Sequence, residues 1–263
     1  MTLTFWGTGT STGIPMVGCA CAVCRSSNPK NQRRRASVLL QEGERRWLID
    51  AGPDFRLQAL DASLTSLDAV FLTHAHADHV LGLDDLRPLS WVRVIPVWAD
   101  KETTKKVHET FPYFFREGDG KTSRPRLDFR LLEPGRAVIA AGLSVLPLEI
   151  CHGDSLILGF RIGGLAYLTD CNGIPPQSRR FLEGLDTLIL GALRPKPHPT
   201  HFSLDQAVEA ARSLGARRTY FTHFSHDVDH ESWAKTLPAG MAPAYDGLVL
   251  ELEESTISQG TGQ

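Results

Sequence analysis

The sequence predicts an α+β protein, with many short apolar strands interspersed among a few helices and folded as one unit. Three features predict it. Short runs of aliphatic, aromatic and β-branched residues recur along the chain, while helical periodicity is confined to a few stretches. The composition is that of an ordinary folded protein, 263 residues with 42% hydrophobic and 22% charged side chains. Such proportions exclude disordered, collagen-like and coiled-coil chains.

Taken in order, residues 3–6, 37–40, 47–49, 69–72 and 95–98 have strand composition. So do 129–132, 143–148, 158–162, 166–168, 187–190, 219–221 and 248–252. Helices are predicted after His79 and over 101–109, 176–182 and 203–214. In the last, Leu204, Ala207, Val208, Ala211 and Leu214 share one face, and Ser203 stands at the N-cap position. Residues 116–126 are polar and glycine-containing and read as an exposed loop. No internal repeat or Pro-, Gly- or Ser-rich linker divides the chain. Residues 1–252 therefore read as one domain, and 253–263 as a polar, flexible tail.

With 28 basic and 30 acidic residues the formal charge is −2, so the whole chain exerts no strong pull on nucleic acid or anionic membrane. No segment approaches the roughly 20 apolar residues of a membrane span. The opening residues lack the charged and apolar regions of a signal peptide. A cytoplasmic protein with no membrane partner is the expectation.

The chemistry lies in the histidines and cysteines. Thr73-His74-Ala75-His76-Ala77-Asp78-His79 directly follows the apolar run 69–72. Imidazole and carboxylate groups packed this tightly at a strand end can converge on a cation, and zinc, manganese and iron all accept the mixture. His152, Asp170 and His223 each follow a predicted strand in the same way. Together these residues are enough for two metal ions, a hydrolase layout in which water is activated and phosphate oxygens are held.

A second cluster, Cys19-Ala20-Cys21-Ala22-Val23-Cys24, supplies thiolates without a fourth ligand nearby. A tetrahedral structural zinc needs four, and His226, just past His223, is the candidate. Cys151 and Cys171 flank His152 and Asp170 and read as buried packing thiols. His108 and His230 sit in polar helical contexts and are expected to face solvent, and His198 is expected to be a loop residue. Arg33-Arg34-Arg35 could attract a substrate phosphate but reads as a solvated basic loop.

His74-x-His76-x-Asp78-His79, followed by His152, Asp170 and His223, resembles the signature of the metallo-β-lactamase-fold hydrolases, from Gly7 to about Leu252. That resemblance implies a four-layer αββα sandwich. It also implies that His74, His76 and His152 hold one metal, that Asp78, His79 and His223 hold the other, and that Asp170 bridges them. Gly7-Thr8-Gly9-Thr10-Ser11, Gly13-Ile14-Pro15 and the Cys-x-Cys-x-x-Cys are similar to the PhnP-type phosphodiesterases of the carbon–phosphorus lyase pathway. The similarity continues through Pro199-Thr200-His201-Phe202-Ser203 and Phe221-Thr222-His223-Phe224-Ser225-His226.

This family implies a structural zinc on Cys19, Cys21, Cys24 and His226 beside the two-metal site. It implies hydrolysis of a small, cyclic phosphodiester such as a ribose 1,2-cyclic phosphate. Asp78 would take the proton of the attacking water, and His201 would protonate the departing alkoxide. The metals of the open site are zinc, manganese or iron. Dimers are common among related hydrolases, so a homodimer is a candidate assembly.

Two competitors share the superfamily. One is an endoribonuclease resembling the enzyme that trims the 3′ end of precursor tRNA. It is disfavoured by the near-neutral charge and the lack of a long glycine- and lysine-rich arm. The other is a non-catalytic metal-binding protein resembling that of pyrroloquinoline-quinone biosynthesis, which lacks a full two-metal ligand set.

Overall fold

The computed structural model describes residues 1–116 and 123–252. The expected tail at 253–263 and part of the loop expected at 116–126 lie outside the described residues. In chain order the first half runs β1 (Thr2–Gly7), β2 (Ser37–Glu42), β3 (Arg45–Ile49), α1 (Phe55–Asp61), β4 (Ala69–Phe71), α2 (Ala77–Val80), α3 (Arg87–Ser90), β5 (Ile95–Ala99), α4 (Lys101–Thr110) and β6 (Leu127–Leu131). The second half runs β7 (Val138–Ala140), β8 (Leu143–His152), β9 (Ser155–Ile162), β10 (Leu165–Leu168), α5 (Pro176–Arg179), β11 (Thr187–Gly191), α6 (Leu204–Leu214), β12 (Arg218–Thr222), α7 (His230–Ala234), β13 (Met241–Pro243) and β14 (Val249–Glu251).

The strands form two mixed seven-stranded sheets, ordered β14-β1-β2-β3-β4-β5-β6 and β13-β12-β11-β10-β9-β8-β7. Period-two alternation decides which side chains meet. Trp47 and Ile49 of β3, Phe71 of β4, Phe160 of β9, Tyr167 of β10 and Ile189 of β11 point into one core shared by both sheets. Their neighbours face the other way: Leu48, Val70 and Leu72 join Phe55, Val80 and Leu83 outside the first sheet. Leu188 and Leu190 join Leu204, Ala207 and Ala211 of α6 outside the second. Strands apolar on both faces require two coverings, which produces the αββα order of layers. Each fully buried Leu, Ile or Phe stabilises the sandwich by roughly 1.5–3 kcal/mol relative to exposure.

The predicted helix at 203–214 is present with its cap. Ser203 accepts from the Gln206 N–H, Gln206 reaches back to the Ser203 N–H, and Gly215 ends the helix in the left-handed region at φ 67°. Among the elements missed from sequence are β7 and β13, three-residue strands at the two edges of the second sheet, each with a single buried residue and so no apolar run. α1 was missed as well. It has no side-chain cap, and it buries Phe55 and Gln58 while leaving Leu57 and Leu60 exposed, so no apolar stripe marks it.

The loop of Arg33, Arg34 and Arg35 departs from expectation. Arg33 is buried, donating to the carbonyls of Lys30 and Ser225 and to Asn31 Oδ1, with its guanidinium over the Phe224 ring. Burial lowers its pKa to about 10. Arg34 pairs with Asp61 and Arg35 with Asp54. His230 is likewise buried, at the start of α7. The reason is common to both: Asn31 binds Asp229 and the His230 N–H, pulling these polar segments together from opposite ends of the sequence. Cys171 is buried as expected, whereas Cys151 is only half-buried. Among the described residues, no helix is long and apolar enough to cross a membrane.

Candidate metal centre

Five strands end on one lip of the sandwich, and each delivers a polar group there. β3 and β4 run parallel, as do β10, β11 and β12, while β8 reaches the same end through the antiparallel β9. Asp50 follows β3, the histidine motif follows β4, His152 ends β8, Asp170 lies just beyond β10, and His223 follows β12. Asp50, Asp170 and His223 all have left-handed backbones, at φ 63°, 57° and 64°. Such conformations cost on the order of 1–3 kcal/mol in non-glycine residues and concentrate at functional sites.

Glycine permits the close approach behind the motif. A Cβ on Gly52 would stand 2.0 Å from the Asp78 carbonyl oxygen, and one on Gly82 would stand 2.1 Å from that of Gly52.

Asp50 organises the floor of the site. Its carboxylate accepts from the Thr73 N–H and hydroxyl, both at 2.8 Å, and from His79 Nδ1 at 2.7 Å. Its role was missed in the sequence, although it carried the signal that picked out Asp170: an acidic residue directly after an apolar strand. With Nδ1 committed, His79 Nε2 lies 3.3 Å from Asp78 Oδ2 and 3.3 Å from Asp170 Oδ2. His223 Nε2 lies 3.0 Å from Asp170 Oδ1 and 3.6 Å from Asp78 Oδ2. His152 donates Nδ1–H to the Asp170 carbonyl at 2.6 Å, which leaves its Nε2 for the site.

The electrostatics follow from this crowding. Burial alone would raise the carboxyl of Asp170, but the charges of His223 and His79 outweigh it and hold Asp170 well below the usual carboxylate range. Burial would lower His223, and Asp170 reverses that, carrying it up to about 9. His74 has no such carboxylate contact; burial, aided by His79, pushes it well below its ordinary value. Burial and His223 lower His201 to about 3.

The residues fit metal ions. The Nε2 atoms of His74, His79 and His223 are buried without a hydrogen-bond partner among the described residues. An imidazole nitrogen facing two carboxylates needs positive charge between them, which either a proton or a metal ion supplies. Ligand atoms of His74, His76 and His152 lie within 4.8 Å of one another, as do those of Asp78, His79, Asp170 and His223. A third grouping of His152, Asp170 and His201 joins the two, with His201 Nδ1 3.9 Å from Asp170 Oδ1. His198, expected to be a plain loop residue, lies in a loop, but its ring centroid is 5.1 Å from that of His201.

The cysteine cluster forms a separate group. His226 Nδ1 is 3.1, 3.6 and 3.8 Å from the sulfurs of Cys19, Cys21 and Cys24. Backbone N–H groups of Cys21, Cys24 and Met16 point at the sulfurs of Cys19, Cys21 and Cys24 respectively. The Cys24 N–H is the leading cause of a Cys21 thiol lowered to about 6, while burial pushes the Cys24 thiol up to about 11. The two centres are tied through the segment between His223 and His226. There Phe224 exchanges backbone hydrogen bonds with Thr8 and Thr10, and Ser225 donates to the Leu193 carbonyl. Arg33, Arg34 and Arg35 instead line a groove of about 710 Å³ to which none of these metal-ligand candidates contributes.

The profile of the beta-lactamase superfamily domain matches residues 45–224. Over 95% of the chain, the crystal structure of a diphosphatase from the PhnP family superposes with a TM-score of 0.89 and 44% identity, covering 96% of that protein. An octanoyltransferase of Porphyromonas gingivalis is 39% identical over 254 residues, which are 95% of this chain and 51% of that one. A ribonuclease Z of Bradyrhizobium sp. is 30% identical over 141 residues, 51% of this chain and 46% of that one. The chain thus spans about half the length of these curated relatives. The profile, the sandwich and the PhnP-family structure agree: this chain belongs to the metallo-β-lactamase superfamily and, within it, to the PhnP family of metal-dependent hydrolases.

Proposed function

We propose that this chain hydrolyses a small phosphoric diester at a two-metal centre, with a ribose-type cyclic phosphodiester as the first candidate. The observation that carries the reading is the meeting of buried, unpartnered imidazole nitrogens with two carboxylates at one lip of the sandwich. In this reading His74, His76 and His152 hold one cation, Asp78, His79 and His223 hold the second, and Asp170 touches both. Zinc, manganese and iron(II) all suit these donors. Bound there, a pair of divalent ions lowers the pKa of a water molecule and neutralises charge on phosphoryl oxygens.

The chain's own groups supply the remaining functions. Asp50 and the Asp170 carbonyl fix which nitrogens of His79 and His152 face the centre. Asp78 takes a proton from the attacking water, and His201 gives one to the departing alkoxide. The negative charge of a bound diester offsets the burial that otherwise keeps the His201 ring neutral. Cys19, Cys21, Cys24 and His226 hold a structural zinc in the same reading. Five unpaired cysteines support a cytoplasmic location.

The test is metal analysis followed by a panel of cyclic, linear and diphosphate-bridged diesters. Asp170→Ala is expected to cut turnover at least about a hundredfold; full activity in that variant would refute the two-metal reading. His201→Ala is expected to slow substrates with alkoxide leaving groups far more than nitrophenyl esters. Equal losses on both would remove its acid role. The ribonuclease Z relative supports a second reading, an endoribonuclease. Tight, salt-sensitive binding of precursor tRNA in a filter assay would put that reading first.

A further inference from the structure

We propose that Asn172 is a positioning residue for His201: its side-chain amide clamps the loop carrying the His201 ring to the ends of β8 and β10. The inference rests on the reading above, in which His201 serves the leaving group, and adds the residue that sets its place.

His201 is held from its flanks rather than by its ring. Asp170 Oδ1 lies 3.9 Å from His201 Nδ1, beyond hydrogen-bond distance. The ring packs against those of His152 and His223, with centroids 4.9 and 5.0 Å apart. Its place beside the ligand group therefore follows from the course of the backbone. On the C-terminal side, the Phe202 N–H donates to the Cys171 carbonyl at 2.7 Å, and the Phe202 carbonyl accepts from the Leu193 N–H at 3.0 Å. Backbone alone supplies these bonds. On the N-terminal side the anchor is a side chain: Asn172 Nδ2 donates to the Pro199 carbonyl at 2.7 Å. Prolines at 195, 197 and 199 remove three backbone N–H donors from this stretch, so carbonyls are the handles it offers.

The other end of the same amide is also used. Asn172 Oδ1 accepts from the Gly153 N–H at 3.2 Å, and the Asn172 N–H donates to the Cys151 carbonyl at 2.9 Å. A carboxamide satisfies both partners at once, whereas a carboxylate would set an oxygen against the Pro199 carbonyl. One residue thus ties together the turn after His152, the segment after Asp170 and the loop before His201. These three are the residues whose ligand atoms lie within 4.8 Å of one another. The Thr200 carbonyl adds a contact 3.2 Å from His152 Nδ1. Without the amide, the loop pivots about Phe202, and a shift of about 1 Å is enough to impair proton transfer.

The experiment uses zinc-loaded full-length protein and the variants Asn172→Ala, Asn172→Asp and His201→Ala. Asn172→Asp keeps the acceptor for the Gly153 N–H and loses the donor for Pro199, so it separates clamping of the loop from support of the turn. For each protein, kcat/KM on a ribose cyclic phosphate is divided by kcat/KM on bis(p-nitrophenyl) phosphate. This ratio cancels losses common to both esters, including those of a folding defect. Both Asn172 variants are expected to lower it about tenfold, in the same direction as His201→Ala. The second readout is the imidazole nitrogen resonance of His201, identified by its loss in His201→Ala and expected to shift in both Asn172 variants. Equal slowing of the two esters, a wild-type ratio in Asn172→Asp, or an unmoved resonance overturns the proposal. If wild type leaves the cyclic ester intact, or His201→Ala leaves the ratio unchanged, the leaving-group reading fails separately. The resonance then decides whether Asn172 places the ring.

Discussion

Asp50 shows how much a single buried residue contributes without touching the substrate. Both of its oxygens are used, on Thr73 and on His79, and its side chain is fully buried. Replacing it with alanine frees the His79 ring and leaves the Thr73 N–H unpaired. Asp50→Ala is expected to weaken binding of the active-site metal about 10–100-fold, measured by competition with a chelating dye. An unchanged affinity would show that His79 orients itself.

Asp246 makes a different prediction. Burial raises its carboxyl to about 6 although it accepts from Thr8 and from the Arg34 N–H. Unfolded, it titrates near 3.9. Between about pH 4 and about pH 6 the folded chain therefore binds more protons than the unfolded one, and this group's contribution to stability falls as pH rises through that window. Asp246→Asn should gain stability relative to wild type from pH 4 to 6 and then hold level. A difference in melting temperature independent of pH would rule this out, and taking the difference cancels the effect of acid on the metal sites.

At the scale of elements, α6 is the best case of a helix written into its own sequence. Its stripe, its Ser203 cap and the glycine that stops it are all local, and all are realised. Ser203→Ala should cost about 1 kcal/mol. In a protein of this size that lowers the melting temperature by about 2–4 °C, readable by circular dichroism with metals kept in excess. Because the cap directly follows His201 and Phe202, a larger loss of activity than of stability would show that it also positions that loop. α1 was not legible for the converse reason. Phe55 and Gln58 are buried by the sheet and by the carbonyls of Trp6 and Arg35, which no local pattern announces. The strand ends were easier, because a polar residue after an apolar run is visible in one dimension.

For the molecule as a whole, the Cys19–Cys24 loop and His226 join the beginning of the chain to the loop carrying His223. Thr8 and Thr10 meet Phe224, and Arg33 lies over its ring, so the cysteine cluster and the active lip share one segment. His226→Ala is expected to release one zinc per chain and lower the melting temperature. It should also weaken the active-site metals severalfold through His223, all of which elemental analysis and calorimetric metal titration will show. Loss of zinc with no change at the active site would mean that the hydrogen bonds around Phe224 suffice.

The sequence by itself determined the candidate donors and their order: the histidine motif, His152, Asp170, His223 and the cysteines, each placed by a strand end or a short spacing. It also determined most of the strands, because burial on two faces leaves short continuous apolar runs in the residues. Only the tertiary structure decided how these groups meet. The orientation of His79 by Asp50, the burial of Arg33 and His230 through Asn31, and the approach of His198 to His201 depend on segments distant in sequence or on the course of a proline-rich loop. Side-chain type reveals what a residue can bind. Which nitrogen is free, and which charge stays uncompensated, is fixed by neighbours that only the folded chain supplies.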